Sequence, residues 1–150
     1  MSLKARIQEE MKTAMKAKDK DTLTALKSIK AKIQLAETAS GASEELTEAE
    51  EFQLLMKEAK QRKDSAQVYQ DAGREELAEV ELKELAVIEK FLPQQMSDEE
   101  ISNAVSEIIA KTGATSIKDM GKVMGMASKE LAGKADNKKV ADFVKKLLNQ

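Results

Sequence analysis

Lysines and glycines at regular spacing dominate one stretch, "DMGKVMGMASKELAGKAD", residues 119 to 136. Gly121 and Gly125 stand four residues apart, Lys122 and Lys129 lie among them, Lys118 comes just before and Lys134 follows. Glycine beside lysine can cradle a phosphate, because bare backbone N–H groups and an ammonium both favour an anion. A phosphate loop, however, needs G-x-x-x-x-G-K-[ST] directly after a strand. Here Gly121-Lys122 runs into Val123, Gly133-Lys134 runs into Ala135, and no strand pattern precedes either. The nucleotide-loop reading fails.

A helix suits the stretch better. At about 100° per residue from Ile117, the residues Ile117, Met120, Val123, Met124, Ala127 and Leu131 share one face. Gly121, Gly125, Ser128 and Ala132 form a stripe of small residues beside it. Lys118, Lys122 and Lys129 lie beyond the stripe. Two uses fit that layout. Small residues at this spacing admit another helix closely, or they admit a nucleic-acid backbone whose phosphates the lysines then hold. Lys134, Lys138 and Lys139 extend the basic area toward the next helix. A lysine row alone is usually only a solvated face.

Other chemistry is sparse. The sequence has no cysteine and no histidine, which excludes disulfides, Cys/His zinc sites, a Ser–His pair and a thiol nucleophile. Glu81, Glu84 and Glu89 in "REELAEVELKELAVIEK" are potential acid/base or cation-binding groups, but with lysines nearby they read as ordinary helix surface. No catalytic residue, metal site or cofactor is expected. "KQRKDS" (60–65) offers a weak phosphate contact, and Tyr69 is too isolated for a base-stacking platform. The eight methionines fill a core poor in aromatic residues.

The elements that must position these residues are helices. Apolar residues make up 41% of the 150, aromatics only 3% and charged residues 35%, with one proline. That balance of Ala, Leu, Glu and Lys predicts an all-α protein. The charged start "MSLKARIQEEMK" is unlike a signal peptide, and no run approaches a membrane span. The expectation is a soluble, cytoplasmic protein with no membrane contact.

Net charge is −2, but it is segregated. Residues 1–35 carry nine basic and four acidic groups, 36–100 seven basic and eighteen acidic, 101–150 nine basic and five acidic. The pattern predicts a helix after Ser2, a second capped by Asp21, and a third opened by the Thr47/Glu50 capping box. The third carries an inner stripe of Phe52, Leu55, Met56, Ala59, Ala66 and Tyr69, and Gly73 stops it. A fourth, with Leu77, Val80, Leu85 and Ile88 inward, completes a long antiparallel hairpin and ends at Pro93. The segment 38–46 around Gly41 reads as a loop. Ser97 and Glu100 open a small three-helix domain of about 98–111, 117–131 and 137–148, with Ser116 and Asp136 as caps of its last two helices. The predicted domains are 1–95 and 96–150.

Several motifs in order, R-x-x-L-A-x-x-E, F-L-P-x-Q, D-M-G-K-V-M-G and G-K-A-D, resemble the YqeY-like family. That family is related to the C-terminal tail of the GatB subunit of the tRNA-dependent amidotransferase. The resemblance implies an all-helical protein with a longer N-terminal region and a small C-terminal three-helix unit. It also implies tRNA or another structured RNA as partner, with Lys118, Gly121, Lys122, Gly125 and Lys134 as backbone contacts. These 150 residues include neither the catalytic cradle of the full GatB chain nor the amidase. The label of carbon–nitrogen ligase with glutamine as amido donor therefore describes such relatives better than this chain. The expected function is a non-catalytic RNA-binding module. The alternatives are an accessory component acting with amidotransferase subunits and a protein-interaction module.

Overall fold

The computed structural model describes residues 2–39 and 45–149. Among these, all regular structure is helical: α1 (Leu3–Lys16), α2 (Lys20–Thr38), α3 (Glu48–Asp71), α4 (Glu75–Glu89), α5 (Asp98–Thr112), a 3-10 turn (Ile117–Asp119), α6 (Met120–Glu130) and α7 (Asn137–Leu148). The all-α expectation holds. The loop expected around Gly41 lies largely outside the described residues. Among the described residues, no helix is long and apolar enough to cross a membrane. The chain divides into two compact units, Met1–Leu92 and Pro93–Gln150.

Local chemistry sets the ends in the first unit. The Ser2 hydroxyl accepts the Ala5 N–H at 3.2 Å and opens α1. The cap of α2 is Asp19, not the expected Asp21. Its carboxylate accepts the Thr22 N–H at 3.2 Å and the Thr22 hydroxyl at 2.6 Å. The chain has already reversed by then. Lys18 adopts a left-handed φ of 57°, and the Asp19 N–H returns to the Ala14 carbonyl at 2.9 Å. Thr47 and Glu50 form the predicted capping box of α3. Gly73, with φ 73°, turns the chain from α3 into α4, and those two helices pack against each other.

Leu3 and Ile7 of α1, Leu26, Ile29 and Ile33 of α2, Leu55 of α3 and Ile88 of α4 form the heart of the first core. Two register details differ from expectation. Val80 is 53% exposed rather than inward, while Ala78 and Val87 are buried. Val87, seven residues on, lies within about 20° of Val80 on the wheel, so the packing along α4 and not the helical angle separates the two.

The second unit is built on three short apolar ladders: Ile101, Val105 and Ile108 on α5; Val123 and Ala127 on α6 with Leu131 at its C-cap; Val140, Val144 and Leu148 on α7. Spacings of three and four residues put each ladder on one helical face. Burying a valine, leucine or isoleucine side chain is worth about 1.5–3 kcal/mol, so this core can hold three short helices that would not form alone. Ser97 and Glu100 make the capping box of α5, and Gly113, with φ 70°, ends that helix.

Candidate nucleic-acid interface

The helix carrying the candidate residues starts differently from the periodicity. Residues Ile117–Asp119 are wound as a 3-10 turn, and the α-helix proper begins at Met120. A 3-10 turn has three residues per turn, so Ile117 stays in line with the half-buried Met120. Ile117 is nevertheless 43% exposed instead of packed with Val123 and Ala127, which the helical angle does not account for. Ser116 is the N-cap, as expected, in a capping box with Asp119. The Asp119 carboxylate accepts the Thr115 N–H at 2.9 Å and the Ser116 N–H at 3.3 Å. These backbone bonds hold the Asp119 carboxyl below the usual carboxylate range.

From Met120 onward the three sectors of the wheel are present. Val123, Ala127 and Leu131 are buried, Met120 and Met124 half-buried. Gly121 and Gly125 are exposed. A Cβ built on either glycine meets no atom within 4 Å. Among the described residues, nothing therefore uses the space that these missing side chains leave. Ser128 and Ala132, the rest of the stripe, are half-buried.

The lysines differ in how free they are. Lys118, Lys122, Lys129, Lys134 and Lys138 are all exposed. The Lys122 ammonium donates to the Thr112 carbonyl at 3.3 Å. That carbonyl belongs to the C-terminal residue of α5, where the helix dipole favours a cation. Lys122 and Lys129, seven residues apart on one helix, fall within about 20° of each other and about 10.5 Å apart along the axis. Lys134 lies in the α6–α7 connection and Lys138 in the first turn of α7, where its N–H donates to Asp136 at 3.3 Å. The candidates therefore occupy three successive elements rather than one row. Lys139 is committed elsewhere: its ammonium sits 2.8 Å from Asp98, a bond that raises its pKa.

Residues 4–148 match the family described as "Yqey-like protein". The chain belongs to the YqeY-like family. It is 36% identical over 110 residues to "Altered inheritance of mitochondria protein 41, mitochondrial" of Clavispora lusitaniae (strain ATCC 42720). The match covers 72% of the present chain and 63% of that relative, so the chain spans less than two thirds of the relative's length.

In this YqeY-like chain the α6–α7 connection is fastened by Gln95, the last residue of the F-L-P-x-Q motif, to which the sequence assigned no role. The Gln95 side-chain amide donates to the Gly133 carbonyl at 2.7 Å and to the Pro93 carbonyl at 2.9 Å. One residue on, the Met96 N–H donates to the Lys134 carbonyl at 2.9 Å. The backbone of Lys134 is thus held by the stretch of chain that leads into α5. The motif marks Gln95, but its spacing does not announce a bond to a residue 38 positions away.

The acidic candidates of the YqeY-like chain have structural partners. Arg62 lies 3.1 Å from both Glu81 and Glu84 and 3.9 Å from Glu58, while Lys32 lies 2.6 Å from Glu58. Lys32, Glu58, Arg62 and Glu84 line a partly open cavity of about 10 Å³, the scale of a single water. Arg62 Nε has no hydrogen-bond partner, and the Glu81 oxygen 3.1 Å from Arg62 is ion-paired without hydrogen-bond geometry. Of the "KQRKDS" motif, Arg62 is therefore turned to these carboxylates, and Lys60 and Lys63 remain exposed. Glu89 is exposed and apart from the network.

Proposed function

We propose that this chain is a non-catalytic binding module for tRNA or another structured RNA, whose backbone rests on the small sector of α6. The observation that carries this reading is the pair of exposed glycines. Glycine inside a helix costs about 1 kcal/mol relative to alanine, and at Gly121 and Gly125 no contact within the described chain offsets that cost. A surface kept bare next to exposed lysines suits a partner that brings its own backbone close and carries negative charge. Lys118 and Lys129 supply charge with no ion pair among the described residues, Lys122 charge shared with the end of α5, and Lys134 and Lys138 a second group beyond it.

Phosphate contacts of this kind fix position without reading sequence, so affinity should fall steeply with salt and vary little among tRNAs. Titration of labelled unfractionated tRNA at rising salt tests the reading. Lys118→Glu with Lys129→Glu weakens binding and flattens the salt dependence. Unchanged affinity in that double variant removes α6 from the interface. The same bare stripe also suits the close approach of a partner helix, which is the form an amidotransferase-associated or protein-interaction role takes here. Co-purification of a protein that Gly125→Leu releases, with tRNA affinity intact, selects that second reading.

A further inference from the structure

The first unit carries a second charge feature that α6 does not explain. From Met11 to Ala36 the chain has seven lysines and two acidic residues, Asp19 and Asp21. Both acids are engaged. Asp19 caps α2 through Thr22, and Asp21 lies 3.1 Å from Lys83. Between Asp21 and Glu37, the body of α2 contains Lys27, Lys30 and Lys32 and no carboxylate.

The structure sorts these lysines. Lys32 pairs with Glu58 at 2.6 Å, Lys12 lies 3.9 Å from Glu9, and Lys30 donates to Gln8 at 3.4 Å. Lys16, Lys18, Lys20 and Lys27 are exposed and form no ion pair among the described residues. Lys20, Thr24, Lys27, Ala31 and Gln34 are all exposed and fall within about 80° on the wheel. Within that arc Lys20 and Lys27, about 10.5 Å apart along the axis, are the only charges, and the exposed Asp21 beside it is paired with Lys83. The exposed positions of α3 and α4, by contrast, include both signs. Lys16 and Lys18 continue the charge around the turn, and Lys18 does so from a left-handed backbone. Lys90 adds to it; Lys90 and the Asp21-paired Lys83 both act on Asp19, whose carboxyl is held down first by the Thr22 bonds and then by their fields.

We propose that the α1–α2 turn and the solvent face of α2, through Lys16, Lys18, Lys20 and Lys27, form a second surface for the phosphate backbone of an RNA. A lysine row along a helix matches a linear run of phosphates. The excess of acid in residues 36–100 repels a polyanion from the rest of the unit and so orients its approach. A lipid surface fits less well. Only Met15 near the turn and Leu35 toward the far end of α2 are exposed large apolar residues on these two helices, too few to anchor in a bilayer. The surface belongs to a different unit and a different lysine set from α6, and it stands if the α6 reading fails.

The test uses the full chain and labelled unfractionated tRNA over a range of salt. Changing Lys16, Lys18, Lys20 and Lys27 together to Gln is expected to reduce the slope of log affinity against log salt by about 3, at about 0.7–0.9 per phosphate contact. The same four changed to Arg keep the parent slope, which separates charge from fold, and far-UV circular dichroism checks that both variants stay helical. A parent-like slope in the Gln variant overturns the proposal, as does equal loss in the Arg variant. Binding to phosphatidylserine vesicles that tRNA does not compete away overturns it too. Loss confined to the Lys118→Glu/Lys129→Glu variant overturns this surface and leaves α6 standing. Loss confined to the Gln variant does the reverse.

Discussion

Two backbone positions decide opposite experiments. Gly121 and Gly125 are helical and face open space, so Gly121→Ala or Gly125→Ala gains helix propensity and meets no clash. Each should stabilise the free chain by about 0.5–1 kcal/mol, measured by urea unfolding. If a backbone rests on the stripe, the same changes weaken tRNA binding. A variant more stable and equally tight removes the close-approach argument. Lys18 is the converse, a side chain where glycine is unstrained. Lys18→Gly should stabilise by a few tenths to about 1 kcal/mol through relief of the left-handed backbone. On the surface proposed for α2 it also removes one phosphate contact. At this scale the sequence was legible where two residues share one motif, as in Thr47 with Glu50 and Ser97 with Glu100. It was ambiguous where two acids compete. Asp19 and Asp21 both suit an N-cap, and only the reversal through Lys18 decides for Asp19.

Element by element, periodicity located the helices well because each apolar ladder has a clear period, and it erred where packing rather than helical angle sets exposure. Ile117, in the 3-10 turn before Met120, is 43% exposed although that winding keeps it in line with Met120. The anchor there, Asp119, gives a pH test. Its folded pKa lies below its unfolded value, because the Thr115 and Ser116 amides bind the carboxylate form. The stability it contributes is present above the unfolded pKa near 4 and is lost as pH falls through the lower folded value. Asp119→Ala should therefore lower the thermal midpoint at neutral pH, and the gap to the parent should close in acid below about pH 4. A gap that persists at that acidity assigns the loss to something other than the carboxylate. The Gln95 bonds belong to the same scale, since they join two loops without any shared motif. Removing them in Gln95→Ala should cost about 0.5–1.5 kcal/mol and speed hydrogen exchange at the Met96 amide. The candidate site was legible as three sectors on one helix. The differing freedom of its lysines was not, because the carbonyl of Thr112 and the carboxylate of Asp98 reach them from distant sequence.

Across the whole molecule, charge and core are divided along the chain, and the second unit has everything a small domain needs. It owns a capping box, a left-handed glycine stop at Gly113 and a core drawn from its own three helices. A fragment of residues 93–150 should therefore be helical and melt cooperatively, with a stability of about 3–9 kcal/mol on the scale of 0.05–0.15 kcal/mol per residue. A fragment that is unfolded shows that the unit needs the first one for its stability. If it folds, it isolates the α6 lysines from the α2 lysines without any substitution. On the two-surface reading, the fragment binds tRNA more weakly than the full chain, with a salt slope shallower by about 3, matching the slope lost in the α2 lysine variant. Equal slopes for fragment and full chain place every phosphate contact in the second unit and leave the lysines of α2 as ordinary solvated charge.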